Sequence, residues 1–334
     1  MITQLLARET NTGLADASTN SLYASAVVLT LAMLAFGFDL AQAPGREARA
    51  AARRTSAAES EGEVTGEGAT AVLTRAEPDD EAPEKRQWAG IGMSLSWLGT
   101  LLLIACVALR GGAVHRPPLG NMYEFATVGA SFTMVAYLIW SLRRDVRWLG
   151  VFITGPVLLV EMLAAIVFYT DATQLLPSLK SYWLSIHVTV ATLSIGLFTI
   201  GFSLTILHLI QQRLEEKPSD HRAVQFMKAL PSSQRLDRLG YSVHIIAFPL
   251  WTFTLIAGAI WAQEAWGHYW NWDPKEVWTF VIWVVYAAYL HARVTAGWNS
   301  RRASYIALVG FACIIVNYCV VNVFFVGQHS YSGM

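Results

Sequence analysis

The stretch Trp261–Trp278, WAQEAWGHYWNWDPKEVW, carries five tryptophans, a tyrosine, a histidine and an Asp-Pro-Lys-Glu run, and long apolar segments flank it on both sides. Rings with an apolar body and one polar edge gather where a membrane meets water, and such a belt explains one or two rings per helix end. It does not explain five tryptophans in so short a connection. Trp266 and Trp270 are spaced to share a face of a short helix, and Pro274 suits a helix start or a sharp turn. The stretch reads as a polar link between two membrane helices that also presents a broad aromatic surface.

The rest of the chain fits that frame. Of its 334 residues, 54% are hydrophobic and only 14% charged, with a mean hydropathy of +0.40. A soluble domain carries roughly a quarter charged residues. Eight segments approach the ~20 apolar residues that a spanning helix needs: 22–44, 88–109, 121–141, 148–169, 182–211, 240–262, 277–292 and 303–326. The seventh is short and is expected to stand upright or lean on its neighbours. The fold class is therefore an all-α polytopic membrane protein of about eight transmembrane helices. No internal repeat supports an inverted-repeat transporter. A net charge of zero leaves no basic footprint for nucleic acid. Cys106, Cys313 and Cys319 all lie in apolar runs without CxxC spacing, so neither a zinc site nor a redox motif is indicated, and the absence of CxxCH means the chain is not itself a c-type cytochrome. The first apolar run lacks a basic start and a clear cleavage site, and reads as a retained helix.

Lys and Arg set the orientation. With the N-terminus outside, the inner loops 45–87, 142–147, 212–239 and 293–302 hold 19 of the 24 basic residues, and the outer segments hold 5. Both termini and the tryptophan-rich loop 261–278 are then outside. The organisation expected is an N-terminal segment with its first helix (1–44), a cytoplasmic loop (45–87) and a membrane domain (88–334). The loop has almost no large apolar residue and is expected to be disordered.

Depth sorts the eight histidines. His115 and His221 fall in loops, His268 in the tryptophan stretch, and His208 near an inner helix end, where interface polarity accounts for it. His187, in SYWLSIHV, lies about one and a half turns into the fifth helix from its outer end, and His329, in GQHSYSGM, follows the eighth. They share the outer depth of the tryptophans. His291, in YLHAR, lies 14 residues further in along the seventh helix, or about 21 Å. His244 is expected at the start of the sixth helix, at a similar inner depth. Ionisable residues inside a membrane are costly and usually functional. Two histidines beside an aromatic platform, without a Cys or carboxylate cluster, fit haem iron between two imidazoles better than tetrahedral zinc. Glu161, mid-membrane, reads either as a proton site or, preferably, as a protonated carboxyl bonded to a neighbouring helix. Glu124 at the start of the third helix reads as a cap.

The tryptophan stretch, with SYWLSIHV before it and YLHAR and HSY after it, resembles the WWD haem-handling superfamily. Within it the order of histidines resembles the CcsA/ResC-type family of System II cytochrome c biogenesis, whose actinobacterial members are often called CcsB. The resemblance spans roughly 88–334. The C-terminus departs slightly, with GQHSYSGM where the family more often has Gly-Leu-His-Ser-Tyr-Gly. The resemblance implies a protein of the bacterial cytoplasmic membrane that takes haem b as substrate and ligand and attaches it outside to apocytochrome c, by thioether formation between haem vinyls and CxxCH thiols. It implies His187 and His329 as the outer iron ligands, serving as the catalytic pair, with Trp266, Trp270, Trp272 and Asp273 forming and holding the platform. It implies His291 as a ligand of an inner haem whose other histidine comes from a ResB-like partner, and a thioredoxin-like protein that keeps the target thiols reduced. Glu264 and Lys275 would meet haem propionates or the loop itself. No nucleophile is evident, so orientation is the expected source of catalysis. Because ligation needs neutral imidazoles, outer-site affinity is expected to fall in acid. Competing readings are a haem exporter or chaperone without synthase activity, a CcmC- or CcmF-like haem-handling protein, and an electron-transfer cytochrome b.

Overall fold

The computed structural model describes residues 10–62, 86–173, 181–218, 221–295 and 298–329, with backbone alone at 47–62 and 222–223. Among them there is no strand, and eight helices are long and apolar enough to cross a membrane. In chain order they are α1 (Thr12–Gly62), α2 (Gln87–Val114), α3 (Met122–Ser141), α4 (Gly150–Ile166), α5 (Tyr182–Glu216), α6 (Ser233–Trp266), α7 (Pro274–Val294) and α8 (Ser300–Ile315). A 3₁₀ turn, Arg147–Leu149, leads into α4, and α8 runs on through a π-helical turn, Val316–Val321, to Asn322–Phe324.

Three expectations change. The first helix does not stop at residue 44. Its backbone stays helical past Pro44 to Gly62, through a run of Ala, Arg and Glu, which favour helix. The rest of the expected disordered loop, 63–85, lies outside the described residues. The seventh helix is not short: its 21 residues reach about 31 Å. The sixth begins at Ser233 rather than 240, because Glu215 on α5 accepts from the Ser233 amide and hydroxyl and holds that first turn. His244 is therefore not at a helix start. It is buried three turns in, against Phe198, Tyr286 and Tyr289, with Nδ1 2.7 Å from the Gly240 carbonyl.

The helices pack as two groups that share α5. One core joins α1–α4 with the far half of α5, and the second joins α5–α8. In a membrane, helices associate by close packing and polar contacts rather than by escape from water. Phe36 on α1 lies between Gly92 on α2 and Gly150 on α4, where a Cβ would stand 2.8 and 2.5 Å from its ring. The Ser25 hydroxyl on α1 donates to Glu161 on α4 at 3.0 Å, as the bonded-carboxyl reading of Glu161 expects. At the end away from the tryptophans, Arg46 and Arg86 both bond Asp39, tying α1 to α2. In the adjoining loop, the hydrogen bond from Arg147 holds the Asp145 carboxyl down at about 2.

Gly150→Val is expected to overpack against Phe36 and cost about 1–3 kcal/mol. Melting of the detergent-solubilised protein should show the loss, and adding Phe36→Ala should return part of it. An unchanged melting temperature in the single variant would show that α1 and α4 are not locked there.

Candidate haem-binding site at the tryptophan-rich end

The beginnings of α3, α5 and α7, the end of α6 and the segment after α8 meet at one end of the bundle. Between them lies a cavity of about 370 Å³, mostly apolar, bordered by both His187 and His329. His187 reaches it from α5. Its ring lies against α6 where Gly258 leaves room, since a Cβ there would stand 2.7 Å from the imidazole. Nδ1 is 3.0 Å from the Thr254 carbonyl. A carbonyl only accepts, so Nδ1 carries the proton and the ring presents its lone pair at Nε2.

His329 arrives from the opposite direction, on the segment that follows α8. Its Nδ1 is 2.9 Å from Asp273 Oδ1, which selects the same tautomer. The two rings share Trp261 as a neighbour. His187 stacks on that indole at 6.0 Å and 12°, and His329 meets it edge-on at 5.6 Å. Trp266 adds a second edge-on contact to His329, at 4.7 Å.

Asp273 is the joint of the site. It caps α7, accepting from the Lys275 amide, and Glu276 returns the favour to the Asp273 amide, a reciprocal capping box. Its other oxygen accepts from the Gln328 amide at 2.7 Å, and a Cβ at Gly327 would run into the carboxylate. Burial works against the charge. The His329 imidazole and the two amides outweigh it and hold the carboxyl below its ordinary value. Glu276 also accepts from the Asn271 amide, so both neighbours of Trp272 are pinned. That turn forces Trp272 into the left-handed region at φ 58°, uncommon for a bulky residue.

The structure thus brings together His187, His329, Asp273, Trp266 and, at the cavity mouth, Trp270. Trp272 meets Trp270 edge-on at 5.8 Å but is 76% exposed and does not border the cavity. His291 belongs elsewhere, exposed near the far end of α7. Glu264 accepts from the Ser181 hydroxyl at the cap of α5 and so serves the loop. Lys275 does border the cavity, with Nζ 3.1 Å from the Asn317 carbonyl in the π-helical turn.

Trp261 was one of five tryptophans in the 261–278 stretch and had no mark of being the shared neighbour. The signal was the small run Ala257-Gly258-Ala259 one turn earlier, which lets α5 come close. Three buried polar atoms around the cavity have no hydrogen-bond partner among the described residues: Trp261 Nε1, Glu276 Oε1 and Asn317 Oδ1. A large, flat, mainly apolar ligand with a few polar groups fits such a lining.

Comparison with known proteins gives a consistent answer. The family model described as Cytochrome C assembly protein matches residues 119–329. The Cytochrome c biogenesis protein CcsA of Guillardia theta is 37% identical over 232 residues, covering 64% of this chain and 76% of that protein. Its namesake from Picosynechococcus sp. is 33% identical over 300 residues, covering 71% and 87%. Among solved structures, a Cytochrome c Heme Lyase CcmF matches with a TM-score of 0.59 at 14% identity, over 91% of this chain and 46% of that one, so the helix arrangement is shared.

Asp273→Ala is expected to cost about 1 kcal/mol through the lost helix cap and to detach the segment bearing His329. Melting curves should report the first effect. Faster proteolysis after α8 should report the second, and wild-type protection in the variant would refute the joint.

Proposed function

This chain belongs to the Cytochrome C assembly protein family, and we propose that it attaches haem b to apocytochrome c as the WWD subunit of a System II synthase. The observation that carries the reading is the pair His187 and His329. They come from distant parts of the chain, converge on Trp261 at one cavity, and each has Nδ1 held by an acceptor. That is the preparation a bis-imidazole iron site needs, with tautomers fixed and ring rotation restrained. Haem is the substrate here, and it supplies the iron and the two vinyl groups.

The chain's own residues bind and orient. His187 sits on a helix and is braced by α6, so it is the ligand that stays. His329 is carried by the segment after α8, fastened through Asp273, so it is the ligand that yields to the histidine of the CxxCH target. Each target thiol then adds across one vinyl group: sulfur bonds the carbon next to the ring, its proton goes to the outer carbon, and no electrons are gained or lost. The thiols must arrive reduced, the task of a thioredoxin-like partner. Thiolate character speeds the addition, and holding the vinyls toward the bound target supplies orientation. The distribution of basic residues supports placing the tryptophan-rich end on the extracytoplasmic side of a bacterial membrane, with both termini there. His291, exposed near the other end of α7, is read as the ligand of an inner haem completed by a ResB-like membrane protein.

His187→Ala and His329→Ala are each expected to lower retained haem and cytochrome maturation about tenfold or more, with partial recovery on adding imidazole. The readouts are the ferrous absorption bands of the purified complex and covalent haem on a CxxCH peptide. Normal haem content and product in both variants would sink the assignment. Normal haem with no covalent product from the complex alone would make the chain a haem exporter.

A further inference from the structure

The residues on α7 sort into two stripes. Phe280, Val284, Ala288, His291 and Val294 are exposed, at spacings of four and three, so they form one face. Ile282, Tyr286 and Tyr289 are buried on the opposite face, and Arg293 continues that stripe. His291 and Arg293 are two residues apart, so on a helix they point in nearly opposite directions within one turn. Whatever fixes the roll of Arg293 fixes the aim of His291.

Arg293 is held firmly. Its two terminal nitrogens donate to the two oxygens of Asp237 on α6 at 3.0 and 2.9 Å, a forked pair that fixes angle as well as distance. The guanidinium also lies 4.8 Å from the Tyr241 ring centre, one turn along α6. Asp237 is backed in turn by α5. The His208 ring is 2% exposed, its Nδ1 is 2.9 Å from the Ser233 carbonyl, and its Nε2 stands 4.0 Å from Asp237 Oδ1. The other polar ties between α6 and α7, Trp251 to the Thr279 carbonyl and Trp283 to Thr252, lie nearer the tryptophan-rich end. At the His291 end the Asp237–Arg293 pair does this alone among the polar contacts described between these two helices.

We infer that Asp237 and Arg293, with Tyr241 and His208 behind them, are positioning residues that set the roll of α7 and aim His291 out of the bundle toward an iron shared with a partner helix. The inference rests on the reading of His291 as an iron ligand. It adds why a histidine on a membrane-facing stripe is directed well enough to bind metal. A lone imidazole on a freely rolling helix would spend much of its time turned away, and an iron–nitrogen bond tolerates little misalignment. The pair is also mostly shielded from water, so it is stronger than a surface ion pair, and removing one partner strands the other.

The test uses the full chain with its membrane partner, in a His187→Ala/His329→Ala background, so that haem reports the His291 site. Arg293→Lys keeps the charge but loses the fork, and Asp237→Asn keeps the shape but loses the charge. Each is expected to lower retained haem about tenfold and to shift the remainder from low-spin to high-spin absorption. Imidazole added to these variants should restore the low-spin bands, and the reversed pair Asp237→Arg/Arg293→Asp should restore them without imidazole. His291→Ala serves as the reference. If it loses haem while both single variants keep wild-type content and spectrum, the positioning role is overturned and the ligand reading stands. If His291→Ala itself changes nothing, the ligand reading falls and this inference with it. A loss that neither imidazole nor the reversed pair recovers means general misfolding, and also overturns the inference.

Discussion

One carboxylate joins the tryptophan-rich loop and the start of α7 to a segment more than fifty residues further along the chain. Asp273 ends the tryptophan-rich loop, starts α7 and receives both the Gln328 amide and the His329 imidazole. A cap must be in place for the first turn of α7 to form, so the same oxygen atoms that satisfy the helix also locate the histidine. The loop cannot shift without disturbing that histidine. Gly327 makes the arrangement possible, because any side chain would occupy the space of the carboxylate. The Asp-Pro-Lys-Glu run is therefore more than a polar end to an aromatic stretch. Pro274 occupies the first helical position, where its missing N–H costs nothing, and Glu276 closes the capping box.

Much of this was legible in the sequence because membranes impose simple constraints. Apolar length gave all eight helices, since a spanning segment must satisfy its own backbone. The depth of each histidine followed from its position along a helix, and this grouped His187 with His329. Boundaries were less legible. The sixth helix starts a full two turns earlier than its apolar run, because a polar contact from Glu215 and not hydrophobicity holds its first turn. That moved His244 from an expected helix start to a buried ring among aromatics. The seventh helix gained length from its cap, which the hydropathy of 277–292 does not register. Side-chain partnership was least legible. Nothing in spacing told Trp261 from Trp272, yet the first is almost wholly buried between two imidazoles and the second is largely exposed. Their fates diverge because one lies within a helix that packs on α5, while the other sits in a turn whose two neighbours are both tied to Glu276.

On the proposed reading the chain treats its histidines in two different ways. The pair near the tryptophans is complete within one polypeptide, and each ring is oriented by an acceptor on another element. His291 has no such neighbour among the described residues and is exposed, so its orientation has to come from the helix as a whole. A ligand whose counterpart lies on another protein gains from this arrangement. The bond can form only where the partner docks, and the roll of α7 is fixed before docking, so little conformational freedom is lost when it happens.

On the same reading the two histidines of the outer pair also differ in how they are attached, and the difference matters for a protein that must hand its haem on. Tight, symmetric bis-histidine ligation would hold haem well and release it poorly. Here the His187 imidazole lies against α6 with no room to retreat, while His329 is carried by the segment after α8 and held by a hydrogen bond to Asp273 and edge-on contacts with Trp261 and Trp266. The hydrogen bonds among those contacts are worth about 1 kcal/mol each net, somewhat more where charge assists. An incoming histidine from a target protein can compete with a tether of that size, whereas displacing His187 would require prising apart two packed helices. On the proposed reading the asymmetry favours one order of events, in which iron stays on the helix-borne histidine while the other coordination position changes hands.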